Sequence, residues 1–198
     1  MGKAFDDTGA AKPTSRTVLA TRGRFDAATI TLHWLTVFLF LPLIASAFLL
    51  HDSEGVDRKM LLDVHRAAGA SIWCLMFTRL LWRSLFARLP PFPAAMTTVH
   101  RRIVKASEYA LYALTLLQPL TGLLMTLLRG KPFRLLLWQV PALLPRDFEL
   151  SELFHQIHEP AGYALFVLIG LHGGAALIHH YVLRDDILVA MLPLRARE

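Results

Sequence analysis

The sequence predicts an all-α integral membrane protein, a bundle of four transmembrane helices with both termini in the cytoplasm. Three observations predict it. Of the 198 residues, 55% are hydrophobic and 18% are charged, below the roughly 25% charged that soluble domains carry, and the mean hydropathy is +0.44. Four apolar runs each reach the ~20 residues that a hydrocarbon core demands. Lys and Arg gather beside those runs, more heavily on one side than the other. A backbone in lipid must satisfy its own hydrogen bonds, so the runs are read as helices.

The chain opens with a stretch that mixes charge, glycine and proline and lacks the apolar segment of a signal peptide. Residues 1–21 are read as a disordered cytoplasmic tail, 22–193 as the helical domain and 194–198 as a short cytoplasmic tail. The spans run over about Ile30–Leu50, Leu62–Phe86, Ile103–Leu128 and Ala161–Leu183. Pro42 and Pro119 fall inside spans and predict local bends. The third connection, Leu128–Leu153, is long. Pro132, Pro141 and Pro145 surround its apolar stretch Phe133–Leu144, which is too short to span and suits an amphipathic piece on the membrane surface or a cap over a cofactor pocket, with a plain extramembrane loop as the competing reading.

Orientation follows from the basic residues. Lys3, Lys12, Arg16, Arg22 and Arg24 precede the first span, Arg83, Arg88, Arg101, Arg102 and Lys105 fill the second connection, and Arg184, Arg195 and Arg197 follow the last span. The opposite side has Arg58, Lys59, Arg129, Lys131, Arg134 and Arg146. The larger set marks the cytoplasm. The net charge of +6 therefore reads as a topology signal and not as a nucleic-acid interface. The single cysteine, Cys74, excludes an intramolecular disulfide and a thiolate metal cluster, and no C-x-x-C-H stretch for covalent haem is present.

Nine histidines occur, and His33, His65, His158 and His172 lie in apolar segments. An imidazole in lipid is costly unless it faces the bundle interior and finds a partner. Positions 158 and 172 are fourteen apart. At 1.5 Å and about 100° per residue this is ~21 Å along one helix, with both side chains near the same face. One helix thus offers an imidazole near each membrane surface. Up-down topology puts His33 at the depth of His172 and His65 at the depth of His158. Two pairs at two depths suit two bis-histidine haem irons better than a four-ligand zinc site. Gly69 and Gly162 each follow a histidine by four residues, and Gly170, Gly173 and Gly174 surround His172. A missing Cβ lets a flat macrocycle approach, although small residues also serve helix packing. His51 and His100 read as solvated surface residues. His155 and His179 are competing ligands on nearly the same faces, and His180 closes the fourth span beside His179.

These segments resemble the bacterial cytochrome b561 family of small four-helix di-haem membrane cytochromes. The residues that carry the resemblance are L-H-W at Leu32–Trp34, V-H-R-A-A-G at Val64–Gly69 and T-R-L-L-W-R at Thr78–Arg83. H-E-P-A-G-Y at His158–Tyr163 and G-L-H-G-G-A-A-L-I-H-H-Y at Gly170–Tyr181 complete the set. The similarity covers about Arg24–Pro193. It implies a di-haem b domain over 22–193, two haem b groups held by His33 with His172 and His65 with His158, and a place in the bacterial inner membrane. One type in the family is a superoxide oxidase that passes electrons to ubiquinone, so the resemblance implies a quinone partner. The donor it implies is superoxide or a periplasmic redox protein.

Arg79, fourteen residues after His65, returns to the same face at the depth of the cytoplasmic pair. Its guanidinium suits a haem propionate; snorkelling to the surface is the competing reading. Arg66, beside His65, suits the other haem's propionate; marking the interface is its competing reading. The basic segment Arg129–Arg146 would concentrate a small anion, against Asp147, Glu149 and Glu152 close behind. The expectation is a superoxide:quinone oxidoreductase-like enzyme. The alternatives are a membrane electron carrier or anchor for a dehydrogenase, and a non-redox module whose histidines bind metal or protons.

Overall fold

The computed structural model describes residues 23–87, 89–92 and 96–193. The tails at 1–21 and 194–198, and the cations Lys3, Lys12, Arg16, Arg22, Arg88, Arg195 and Arg197, lie outside the described residues.

Four long helices dominate what is described: α1 (Ala27–Asp52), α2 (Gly55–Leu85), α3 (Thr98–Leu128) and α4 (Phe148–Ile178). A π-helical turn (His179–Leu183) extends α4, and a short α5 (Ile187–Met191) follows. Three stretches are long and apolar enough to cross a membrane: Ala27–Asp52, Thr98–Leu128 and Phe148–Leu183. α2 has the length but falls short in apolarity, because Asp57, Arg58, Lys59, Asp63, Arg66, Arg79 and Arg83 all lie on it.

Each helix start has a physical cause. The Asp26 carboxylate accepts from the Thr29 backbone N–H at 2.9 Å and from the Thr29 hydroxyl at 2.6 Å, an N-cap that satisfies a donor the helix leaves unpaired. The same carboxylate accepts from the Trp82 indole at 2.9 Å, so the start of α1 is tied to the end of α2. Thr97 caps α3 by accepting from the His100 N–H at 3.2 Å. Asp147 caps α4 by accepting from the Leu150 N–H at 3.0 Å. That cap starts α4 thirteen residues before the expected Ala161, and Pro160 consequently sits inside it.

α3 ends at Leu128, and Gly130 just beyond has a positive φ of +62°, the left-handed turn at which glycine closes helices. A Cβ there would meet the Arg146 backbone at 2.8 Å. The third connection then forms a two-strand antiparallel hairpin, β1 (Phe133–Leu135) with β2 (Trp138–Val140), Phe133 opposite Val140. Instead of lying flat as one amphipathic piece, the stretch folds back at Leu136, itself at positive φ. Phe133 is buried beneath the Arg66 guanidinium at 5.6 Å, while Leu137 and Trp138 at the tip stay exposed.

Packing is uneven. α1 lies along α2 and α3 along α4, with α2 and α3 joining the two hairpins. α2 meets α3 through the Trp73 indole, which donates to the Leu116 carbonyl at 3.1 Å, and through the Arg83–Glu108 ion pair. α4 approaches neither α1 nor α2 closely along its length. The termini close one end: Trp34 donates to the Met191 carbonyl at 2.8 Å and Arg24 to that of Leu192 at 2.6 Å.

Partial burial pushes the Asp26 carboxyl up, but the bonds from Thr29 and Trp82 outweigh it and hold it below the ordinary carboxylate value. A depressed folded-state value means stability that is full above the ordinary carboxylate range and lost as pH falls through the folded one. We predict that Asp26→Ala costs about 1–2 kcal/mol. Asp26→Asn, which keeps a capping oxygen, costs less. Thermal unfolding in detergent at neutral pH reads the difference, and the gap between wild type and Asp26→Ala narrows on acidification.

Candidate functional site: two facing imidazole pairs

The structure brings the four apolar-segment histidines together as two pairs across the gap between α4 and the α1–α2 hairpin. His33 on α1 faces His172 on α4, ring centres 6.4 Å apart and planes at 61°. His65 on α2 faces His158 on α4, at 6.2 Å and 73°. The first pair lies toward the end carrying the chain termini and the second toward the hairpin end. α4 supplies one ring to each, as the fourteen-residue spacing predicts.

The hydrogen bonds around the second pair decide its protonation pattern. The Thr121 hydroxyl donates to the Gln118 carbonyl at 2.9 Å, so it accepts from His158 Nδ1–H, also at 2.9 Å. The Ser46 hydroxyl donates to the Leu43 carbonyl at 2.9 Å and accepts from His65 Nδ1–H at 3.3 Å. In both neutral rings the lone pair is then on Nε2. A ligating histidine characteristically has its other nitrogen held in this way. Neither Ser46 nor Thr121 was singled out in the sequence.

At the first pair, His33 Nδ1 and Arg79 Nε are buried without a hydrogen-bond partner. Buried polar atoms are nearly always paired, so this pocket holds two groups with unmet capacity. Arg79 interacts electrostatically with both His33 and His172 and lies 5.6 Å from the centre of the Tyr112 ring. Its neighbour Arg83 is engaged by Glu108. Arg66, at the other end, reaches Asp63 at 3.5 Å.

The glycines divide by environment. A Cβ at Gly170, Gly173 or Gly174 would meet nothing within 4 Å, so these three leave open space beside His172. At Gly162 a Cβ would meet Gln118 Nε2 at 2.8 Å; here the missing Cβ admits the amide that donates to the His158 carbonyl at 2.9 Å. At Gly69 a Cβ would reach Leu43 at an ordinary 3.8 Å. Gly122, not anticipated, backs the His158 ring, with Cε1 2.9 Å from where its Cβ would be.

The remaining histidines sort themselves. His155 lies between Glu152 and Glu159, at 3.7 and 3.9 Å. His51 is exposed and His180 stacks edge-on with Tyr181. His100 corrects its surface reading: it is half-buried and meets the buried His179, because the start of α3 lies beside the end of α4.

A haem fits what these residues offer. An imidazole nitrogen bonds a first-row metal at about 2.0 Å and the ring centre is about 1.1 Å behind it, so two rings that held one ion from opposite sides would have centres ~6.2 Å apart. Both pairs match that spacing. Among the described residues no group of three or more His, Cys, Asp or Glu gathers as a metal cluster, and pairs are what the fold provides.

A profile of the family described as prokaryotic cytochrome b561 matches residues 24–194. Cytochrome b561 homolog 1 of Escherichia coli strain K12 is 32% identical over 178 residues, which cover 87% of this chain and 98% of that protein. The probable superoxide oxidase CybB of Yersinia pestis is 26% identical over 86% of this chain and 96% of its own length. Cytochrome b561 homolog 2 of E. coli is 27% identical, with coverages of 85% and 91%. With the match spanning all four long helices and both imidazole pairs, the chain belongs to the prokaryotic cytochrome b561 family, haem-binding membrane proteins of electron transfer.

Proposed function

We propose that this protein is a transmembrane di-haem b cytochrome of the bacterial inner membrane that takes electrons from superoxide and delivers them to ubiquinone. The observation that carries the reading is the recurrence of one arrangement at two levels: facing imidazoles 6.4 and 6.2 Å apart, joined by a single helix. His33 and His172 hold one haem, and His65 and His158 hold the other. A haem held by such an imidazole pair would supply one-electron exchange at each level.

The chain's own residues do the rest. Ser46 and Thr121 fix the rings of His65 and His158 with Nε2 inward. Arg79 offers its unpaired Nε to a propionate, and Arg66 serves the other haem. α2 is the fourth span. Its arginines support this, since Arg66 has Asp63, Arg83 has Glu108 and Arg79 has the Tyr112 face, so they turn inward as charged residues in membranes do. The basic tails and second connection support cytoplasmic termini.

The donor assignment rests on two supports. One matched relative is named a probable superoxide oxidase. Arg129, Lys131, Arg134 and Arg146 are all exposed at the hairpin end, beside the His65–His158 pair, where they would concentrate an anion. Two superoxide anions each lose an electron and become dioxygen; ubiquinone gains two electrons and two protons.

Three measurements test this. His65→Ala or His158→Ala removes one haem of two and leaves the spectrum of the other; equal loss of both haems in a folded variant contradicts separate pairs. A reporter fused after Glu198 behaves as cytoplasmic, and periplasmic activity there inverts every side assignment. Changing Arg129, Lys131 and Arg134 together to Gln slows reduction by superoxide with haem content unchanged. Screening acts over about 8–10 Å at physiological ionic strength, so the wild-type rate falls with added salt and the variant rate falls less. A wild-type rate indifferent to salt, with reduction by a periplasmic redox protein instead, would replace superoxide as the donor.

A further inference from the structure

A third pair of imidazoles meets outside both membrane-level pairs. His100, in the first turn of α3, brings its Nε2 to within 3.4 Å of His179 Nε2. The ring centres are 5.1 Å apart and the planes lie at 34°. That spacing is too short for two rings trans across a haem iron. It matches a different arrangement. Two imidazole nitrogens bound at about 2.1 Å to one tetrahedral ion stand ~3.4 Å apart, with ring centres ~5.2 Å apart.

The surroundings of His179 are those of a held ligand. Its Nδ1 bonds the Asp185 carboxylate at 2.5 Å. Asp185 is fixed in turn: its N–H donates to the His179 carbonyl at 3.1 Å, and its other carboxylate oxygen accepts from the Ile187 N–H at 3.1 Å. Arg184, in the left-handed conformation at φ 54°, turns the chain back to make this closure. With a proton held on Nδ1 by the carboxylate, Nε2 of His179 presents its lone pair toward His100. A carboxylate behind an imidazole orients the ring and raises its basicity toward a metal. The ring is buried, on a π-helical turn of the kind that recurs at functional positions.

We propose that His100 and His179, with Asp185 behind His179, bind a divalent transition-metal ion of the zinc class at the end of the bundle carrying the chain termini. Imidazole suits zinc, copper and nickel. Two protein nitrogens and water complete a tetrahedral shell, which makes this an exchangeable site and not a structural one. The ion would join the start of α3 to the end of α4.

Zinc titration of the purified full-length protein by calorimetry tests the site, since Zn²⁺ is redox-silent and leaves the haems untouched. The expected result is one equivalent at micromolar affinity. His100→Ala and His179→Ala each weaken it by roughly tenfold or more, and Asp185→Asn weakens it about tenfold. The asparagine variant preserves side-chain size and both ring nitrogens, so it reads the site even where an alanine unsettles the helix end. Binding that is absent from wild type, or that keeps wild-type affinity in Asp185→Asn and in either folded histidine variant, overturns the proposal. So does loss of binding in His155→Ala, which would place the ion among Glu152, His155 and Glu159 at the far end of α4.

Discussion

An imidazole carried into an apolar helix must be partnered, and α4 carries two of them on one face. That constraint shapes the bundle. If α4 packed tightly against α1 and α2, as α1 packs against α2, His158 and His172 would be pressed into aliphatic side chains with their nitrogens unsatisfied. Instead α4 stands off from the α1–α2 hairpin, and histidines from the two sides face each other across the gap. Close packing is confined to the α1–α2 and α3–α4 hairpins. There, small polar side chains such as Ser46, Thr115 and Thr126 are buried on the helix surfaces, and hydroxyls back-bond to their own helix carbonyls, as at Leu43, Gly122 and Gln118.

The two pairs differ in how they are supported. At the hairpin end both rings are braced by hydroxyls that have already spent their own protons on backbone carbonyls, which settles the tautomer. At the end carrying the chain termini the first pair lacks such a brace at His33 Nδ1 and has an arginine instead, with its Nε unpaired. The α2 arginines form a graded series. Arg83 is bound to Glu108, Arg79 lies over Tyr112 with capacity left, and Arg66 leans on Asp63 and Phe133. Charge on α2 lowers its apolarity below that of the other three long helices. That charge is mostly directed at partners inside the bundle.

Much of this was legible in the residues. The four long helices, the pairing of His33 with His172 and of His65 with His158, and the nearness of Arg79 to the first pair all follow from two local rules: helical periodicity and up-down threading. A fourteen-residue interval returns to the same face whatever surrounds it, so the pairing needed no tertiary information. Helix ends were less legible. α4 begins at Phe148 because Asp147 caps it, while hydropathy registers only the apolar part beyond Pro160. The third connection looked like one amphipathic segment, and its reversal at Leu136 depends on Phe133 finding a place under Arg66.

What the sequence by itself determined is periodic: which stretches are helical and apolar, and which histidines share a face and a depth. The tertiary structure alone decided what lies within hydrogen-bond reach across helices. Ser46 and Thr121 became braces, Gly162 and Gly122 became seats for Gln118 and His158, and His100 left the surface to meet His179. These contacts join residues from 19 to 79 positions apart. Their geometry depends on the crossing of whole helices and on the turn after His179, where the Asp185 N–H returns to the His179 carbonyl. Local pattern has no access to either, because helix periodicity specifies a face and not the neighbour that the face will meet.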